Sequence, residues 1–320
     1  MKAILVENFG GPEELRLVDL PDPQPSADQI LVRLHAAGVN PVETYIRSGQ
    51  YAKLPTLPYI PGSEGAGEVE AVGRNVWTFR PGDRVFLAGS VTGTYAERAL
   101  CTADHLFALP EEADFSHGAA LGVAAATAWR GLFQRGGVQK GETILIHGAS
   151  GGVGNAAVQL AQAAGLRVFG TAGSEDGLAL VKAAGAERAF DHADPVYRQA
   201  ILDATDGRGV DCILEMLANV NLGEDLKLLA PRGRVVVIGS RGSVEINPRD
   251  LMMREADIRG LIGGLATAEE RAATYAGLQK ALSTGHLRPV IDRTFALSQA
   301  AEAHRAVMEP KACGKILLVP

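Results

Sequence analysis

Cysteine, surplus positive charge and long apolar runs are all scarce or missing in this chain, and each shortage closes off a class of protein. Only 3 cysteines, Cys101, Cys212 and Cys313, occur in 320 residues. An odd, widely scattered set argues against a disulfide framework and for reduced thiols in a cytoplasmic protein. Lysine and arginine total 31 against 37 acidic residues, giving a net charge of −6. Nucleic acid is therefore not expected as the main ligand, nor an anionic membrane as the main partner. No stretch reaches the roughly 18 apolar residues that a membrane-spanning helix needs. The opening MKAILVENFGGPEEL has too short an apolar run for a signal peptide and reads as a strand. Hydrophobic residues make up 47% and charged residues 21%, which is an ordinary globular composition. The length allows about two domains.

What is present is concentrated in residues 142 to 174, ETILIHGASGGVGNAAVQLAQAAGLRVFGTAGS. A β-branched apolar run, Thr143 to Ile146, leads into the glycine-rich turn Ala149-Ser150-Gly151-Gly152-Val153-Gly154. An alanine-rich amphipathic helix follows, then a second apolar strand, Arg167 to Thr171. Strand, glycine turn, helix and strand form the context that a dinucleotide fingerprint requires. Gly151 lets the backbone approach a pyrophosphate, Gly154 lets the helix pack closely, and the free N–H groups of the helix start face the phosphate oxygens. Ala149 replaces the first glycine, so the pattern is relaxed to A-x-G-x-x-G.

The end of the second strand bears on which nicotinamide cofactor is used. An NAD site carries an acidic residue there, bonded to the ribose 2′-hydroxyl. Here the strand ends Gly170-Thr171-Ala172-Gly173-Ser174, with no carboxylate to repel a 2′-phosphate. Glu175 and Asp176 come just after it. They are better read as acids in the first turn of a helix that Ser174 caps. NADPH is favoured, although no lysine or arginine stands where a phosphate clamp would most be looked for.

Two textures divide the chain. The first 120 or so residues are short strands punctuated by turns such as PDPQP, PGSEG and RPGD, which suggests a compact β domain. From about Ala124, helices alternate with apolar strands, which indicates a parallel sheet covered on both faces. Two helices and a lone strand, Gly314 to Val319, close the chain. That strand needs a partner, and the N-terminal β domain is the natural one, which makes the cofactor domain an insertion. The expected division is 1–123, 124–265 and 266–320.

Four segments carry a family resemblance: AAGVNPVETYIRSGQY (36 to 51), HGASGGVG (147 to 154), LEMLANVNL (214 to 222) and GSRGSVEINPRDLM (239 to 252). Along its whole length the chain resembles the medium-chain dehydrogenase/reductase superfamily, and within it the zinc-free quinone oxidoreductases of the zeta-crystallin type. The resemblance implies an α/β protein. A GroES-like β domain would hold an inserted Rossmann domain, a doubly wound parallel sheet, with the active site in the cleft between them.

Zinc-dependent members of the superfamily use Cys and His ligands, and here the corresponding regions have lost them. The catalytic cysteine region reads Gly38-Val39-Asn40-Pro41, and the G-H-E motif reads Gly62-Ser63-Glu64. Cys101 stands alone where a structural lobe needs four thiols. His35, His105, His117 and His147 have no ligand-like spacing, so core or surface roles explain them better and no zinc site is expected.

A quinone is electron-poor and needs hydrogen-bond donors rather than a Lewis acid to accept hydride density. Asn40, Tyr45 and Tyr51 offer such groups on one segment. Spacing alone leaves a packing role equally open. The resemblance implies that Tyr45 lies beside nicotinamide and substrate, while Asn40 and Tyr51 shape the pocket. It also implies that Thr127 contacts the nicotinamide side and that Ser150, Gly151, Gly152 and Val153 hold pyrophosphate. Gly173, Ser174 and His192 would surround the adenosine ribose and its phosphate, with a strand-end cap as the other account of His192. Asn221, the turn Ile238-Gly239-Ser240-Arg241, and Leu261-Ile262-Gly263 would complete the adenine and nicotinamide walls.

The function implied is an NADPH-dependent quinone reductase. An NADPH-dependent enone reductase of the same fold and a non-enzymatic NADPH- or RNA-binding role are the alternatives, the RNA role being disfavoured by the acidic balance. An apolar strand near Ile258 to Ile262 falls toward a sheet edge and suggests a homo-oligomer, a dimer or a tetramer.

Overall fold

The computed structural model describes residues 1–310 and 313–320, and the chain divides into two units. The first comprises Met1–Ala124, Pro289–Pro310 and Gly314–Pro320; the second is chiefly Ala125–Arg288.

The first unit opens with a small antiparallel pair, β1 (Lys2–Leu5) and β2 (Arg16–Asp19). Its main strands follow as β3 (Ile30–Val39), β4 (Glu64–Val72), β5 (Arg84–Ala88), β6 (Arg98–Cys101) and β7 (Leu106–Ala108). Ile30, Val32 and Leu34 alternate along β3, and they bury against Val69, Val85 and Leu87 of the neighbouring strands. That period of two is what one buried sheet face demands. The helix Pro41–Arg47 leaves the end of β3 directly.

The second unit carries β8 (Thr143–Ile146), β9 (Arg167–Ala172), β10 (Arg188–Asp191), β11 (Val210–Glu215), β12 (Leu229–Val237) and β13 (Asp257–Gly260). Among the described residues they form a six-stranded sheet in the order β10-β9-β8-β11-β12-β13, every pair parallel. β8, β9 and β11 are buried along almost their whole length, as strands covered by helices on both faces must be. The order reverses between β8 and β11. In doubly wound sheets ligands bind beyond the carboxyl ends of the strands, at such a reversal.

The chain then returns to the first unit as β14 (Ile291–Ala296) and β15 (Lys315–Val319). β15 pairs antiparallel with β3, Ile316 lying opposite Val39, so the terminal strand does find its partner in the N-terminal sheet. The return comes at Pro289 rather than at 266. The helix Ala268–Ser283, assigned from sequence to the returning segment, packs in the second unit. Arg130 there bonds Glu270 Oε2 at 3.1 Å and the Ile262 carbonyl at 2.9 Å, and Gln134 reaches the Glu270 carbonyl at 2.8 Å. These partners lie more than a hundred residues away in the chain, which a local pattern does not report. No helix among the described residues is long and apolar enough to cross a membrane.

Candidate functional site

The glycine turn joins β8 to the helix Gly152–Ala163. Its sharpest residue is Gly148, at φ +56°, a left-handed conformation that suits glycine. Ala149 at the relaxed fingerprint position is therefore no defect, because its neighbour makes the turn. A side chain on Gly154 would come within 2.2 Å of the Gly148 carbonyl oxygen, so this glycine is required for the helix to meet the turn. Gly151, by contrast, has only one atom near its missing side chain, at 3.5 Å, and leaves its surroundings open. The first N–H groups of the helix have no intrahelical partner and suit an anion.

Most of the other expected cofactor residues stand just past the end of a strand. Gly173 and Ser174 follow β9, His192 follows β10, Asn221 lies in the first turns after β11, Ile238 to Arg241 follow β12, and Leu261 to Gly263 follow β13. The Ser174 side chain accepts the Gly177 N–H at 3.2 Å and caps the helix Glu175–Ala183, whose first-turn acids Glu175 and Asp176 are exposed. A side chain on Gly177 would meet Ala172 Cβ, Ser174 Oγ and Ser150 Cβ, all within 3.3 Å, so these three expected residues converge on one spot. His192 is exposed and leans on Gly173, its Nε2 2.6 Å from where a Gly173 Cβ would stand. Thr127 belongs to the short helix Ala126–Trp129 ahead of β8 and is not at a strand end.

A buried cluster fastens these strand ends together. Gly148 N–H donates to Thr171 Oγ1 at 3.2 Å, and Thr171 Oγ1 lies 3.2 Å from His147 Nδ1. His147 Nε2 lies 2.9 Å from Asp225 Oδ1 and 3.6 Å from Glu215 Oε2. Glu215 also accepts from the Leu217 N–H and from Asn221 Nδ2, the latter at 3.2 and 3.3 Å. Its carbonyl takes the Ile238 and Gly239 N–H groups. One residue, Glu215, thus positions Asn221 through its carboxylate and the 238–241 turn through its backbone carbonyl. Burial raises both carboxyls, Glu215 to about 7 and Asp225 to about 7, and it lowers His147, which stays neutral. Sequence spacing gave His147 no ligand-like company; the fold brings it together with Glu215 and Asp225 as three potential metal ligands. The direct contact of Nε2 with Asp225 closes the group on itself as a hydrogen-bonded network.

In the first unit Asn40 caps the helix Pro41–Arg47, with its N–H on Glu43 Oε2 at 2.5 Å. Tyr45 sits on that helix and Tyr51 just beyond it, both half-buried. Two positions from buried Glu43, Tyr45 faces away from the acid. Asn40 was expected to offer a hydrogen-bonding group to a quinone, but its side chain is fully engaged. Asn40 Nδ2 donates to Glu64 Oε1 at 2.7 Å and to Glu43 Oε1 at 3.3 Å, and Oδ1 accepts from Lys315 Nζ. Asn40 can shape a pocket but has no donor to spare. Glu43, Glu64 and Lys315 were missed from sequence. The available signal was the N-x-x-E capping pattern and one lysine opening the apolar strand KILLV.

These residues do not fit a zinc ion. The donors in the two ligand regions are an amide, the Ser63 hydroxyl and two carboxylates, and an ammonium already lies among them. An ammonium has no lone pair to give and repels a second cation.

Comparisons with known proteins agree with this architecture. Residues 26–111 match the alcohol dehydrogenase GroES-like domain family, and 152–278 match the family described as zinc-binding dehydrogenase. Quinone oxidoreductase of Homo sapiens is 48% identical over 321 residues, covering 100% of this chain and 98% of the human protein. An NAD-dependent alcohol dehydrogenase structure superposes with a TM-score of 0.93 at 30% identity, covering 100% of both chains. Escherichia coli quinone oxidoreductase complexed with NADPH gives a TM-score of 0.89 at 28% identity, again covering 100% of both.

Proposed function

The chain belongs to the quinone oxidoreductases of the medium-chain dehydrogenase/reductase superfamily, and as a member of that family we propose that it is an NADPH-dependent reductase of small quinones. The observation that carries the cofactor choice is Ala172. It is buried beside Ser150 and Ser174 at the end of β9, where an NAD site would hold an acid. Bound NADPH supplies the hydride. The N–H groups at the start of the helix Gly152–Ala163 hold the pyrophosphate, with Ser150 to Val153 wrapping it. Gly173, Ser174 and His192 receive the adenosine ribose and its 2′-phosphate. Arg241, in the turn after β12, is the cation assigned to that phosphate, an exposed surface arginine being the other account of it. Asn221, the 238–241 turn, Leu261 to Gly263 and Thr127 form the remaining walls.

Tyr45 and Tyr51 face the quinone, and the Tyr45 hydroxyl orients one of its oxygens. The quinone accepts two electrons with the hydride and takes its second proton from water, which yields the hydroquinone without a metal. Asn40 sets the shape of this segment from below.

β13 is an edge strand, and Ile258, Ile262 and Leu265 at and beyond it are 37%, 47% and 78% exposed. An apolar edge of this kind favours pairing with a second copy into a two-fold dimer. Light scattering at the monomer mass across micromolar concentrations would count against the dimer. A cytoplasmic setting is in keeping with Cys101 and Cys212, buried free thiols that burial pushes up to about 12.

The test of function is NADPH consumption against a panel of ortho-quinones, para-quinones and enones. Turnover with quinones is the expected result. Turnover with enones alone would assign the protein to the enone reductases of the same fold.

A further inference from the structure

Three oxygens converge on one ammonium in the first unit. Lys315 opens β15 and is 3% exposed. Its Nζ lies 2.6 Å from Glu64 Oε1 and 2.8 Å from the Val39 carbonyl, and it also bonds Asn40 Oδ1. Two carboxylates are buried around it, Glu64 at 0% and Glu43 at 4% exposure. Neutral groups fill the rest of their acceptor sites. Glu64 Oε2 takes the Val123 N–H at 2.7 Å. Glu43 takes the Asn40 N–H, Ser63 Oγ at 3.1 Å and the Tyr95 hydroxyl at 3.2 Å. Among the described residues Lys315 is the only basic side chain ion-paired with either acid. Buried charge without a partner is costly, so this cluster holds its shape only while the ammonium is there.

The cluster is not an isolated knot. Glu43 lies within the helix that carries Tyr45, Asn40 caps it, and Val39 ends the strand that leads into it. Lys315 touches Val39 and Asn40 directly and reaches Glu43 through the Asn40 amide.

We propose that Lys315 is a positioning residue for the substrate segment: its ammonium is a built-in cation that balances Glu43 and Glu64 and fixes the start of the helix bearing Tyr45. The role rests on the reading of Tyr45 as a substrate-side residue. It gives the misfit with zinc a positive content, since the chain itself supplies the cation at the former ligand regions.

Three variants test it: K315M removes the charge and keeps the length, K315R keeps the charge, and K315M/E64Q removes both partners. K315M is expected to lower kcat/KM for the quinone by between about tenfold and about a hundredfold. Most of that loss should fall on KM, while the Kd for NADPH, whose pyrophosphate and ribose contacts are assigned to the second unit, stays within about twofold. K315R should recover most of the loss, and K315M/E64Q should recover more than K315M despite carrying a second change. If K315M does not fold, K315R and the double variant still decide, because space-filling alone predicts no rescue by removing the carboxylate. Unchanged quinone kinetics in K315M would overturn the proposal. So would a double variant as impaired as the single one, or one zinc per chain in the unmodified protein with activity lost on chelation. If the unmodified protein turns over only enones, the quinone reading fails, and the same variants judge Lys315 with an enone.

Discussion

Each unit buries a pair of carboxylates beside its own candidate site residues, and the two pairs are neutralised in different ways. In the first unit Glu43 and Glu64 surround the Lys315 ammonium. In the second, Glu215 and Asp225 surround His147, an imidazole that burial keeps neutral, with Arg198 acting on Asp225 from a distance. Lys315 Nζ lies 2.6 Å from Glu64 Oε1, so the first arrangement is held by ion pairing. The second has no permanent cation in contact, and it keeps its acids protonated up to about neutrality instead. The lesson is that buried acids beside candidate site residues can be held chiefly by an ion pair or chiefly by a proton. Burial raises Glu43 too, against the pull of Lys315, but the larger response to pH belongs to Glu215 and Asp225.

Removing the central group should separate the two most sharply. Lys315→Met leaves buried carboxylates without their cation and should cost about 3–5 kcal/mol of folding stability. Asp225→Asn keeps an oxygen for His147 and should cost less, about 1–3 kcal/mol. Urea unfolding of both variants at neutral pH checks the order, and equal losses would erase the distinction.

Acidity should act on the second cluster. Glu215 and Asp225 each bind their proton more tightly folded than unfolded, where their ordinary values are 4.5 and 3.8. Their contribution is therefore fully present at low pH and is lost as pH rises through about 7. His147, lowered by burial, works in the opposite direction only below its ordinary 6.5. Above that value the acids titrate alone, against the neutral imidazole, Tyr197 and the Arg198 guanidinium that face them. Asp225→Asn should flatten the decline of stability between about pH 6.5 and about pH 8 by roughly 0.5–1 kcal/mol. A decline equally steep in the variant would move the titration elsewhere.

Specificity should divide along the same line. Ala172→Asp in the second unit should shift the NADPH-to-NADH affinity ratio at least about tenfold toward NADH, or about 1.4 kcal/mol. Its quinone KM should not follow. Titration of both cofactors by fluorescence reads this directly, and a ratio near one in the unmodified protein would refute the role of Ala172. The smallest effect is expected in the first unit. Tyr45→Phe removes one neutral hydrogen bond and should lower quinone turnover by about 0.5–1.5 kcal/mol, with Tyr45→Ala costing more by opening the pocket. Steady-state kinetics of an alanine variant indistinguishable from the parent would remove Tyr45 from the site.

The glycine turn could be read from the sequence because its function is local. Gly151 and Gly154, the strand before them and the helix after them are contiguous, and contiguity carries the geometry. Even so, the left-handed residue proved to be Gly148, one position ahead of the relaxed fingerprint. The absence of an acid at Ala172 and the capping by Ser174 were legible for the same reason. The helix Ala268–Ser283 was recognised as a helix but placed in the wrong unit. Its allegiance is decided by Arg130 and Gln134, which its own residues do not announce. Asn40 was noticed but read as a donor, because its partner Lys315 lies 275 residues away.

By itself the sequence determined what short-range physics controls: a turn that needs glycines, a helix start that suits phosphate, alternating strands in one half and a parallel sheet in the other. It also determined the missing thiols and imidazole at the zinc positions, since an absent atom needs no fold to be absent. Tertiary structure alone decided how buried charge is balanced. Ion pairs such as Lys315 with Glu64, and the His147–Asp225 contact across 78 residues, exist only once distant strands are in register. Burial then turns ordinary side chains into strong partners, because charge and hydrogen bonding matter most where water is excluded.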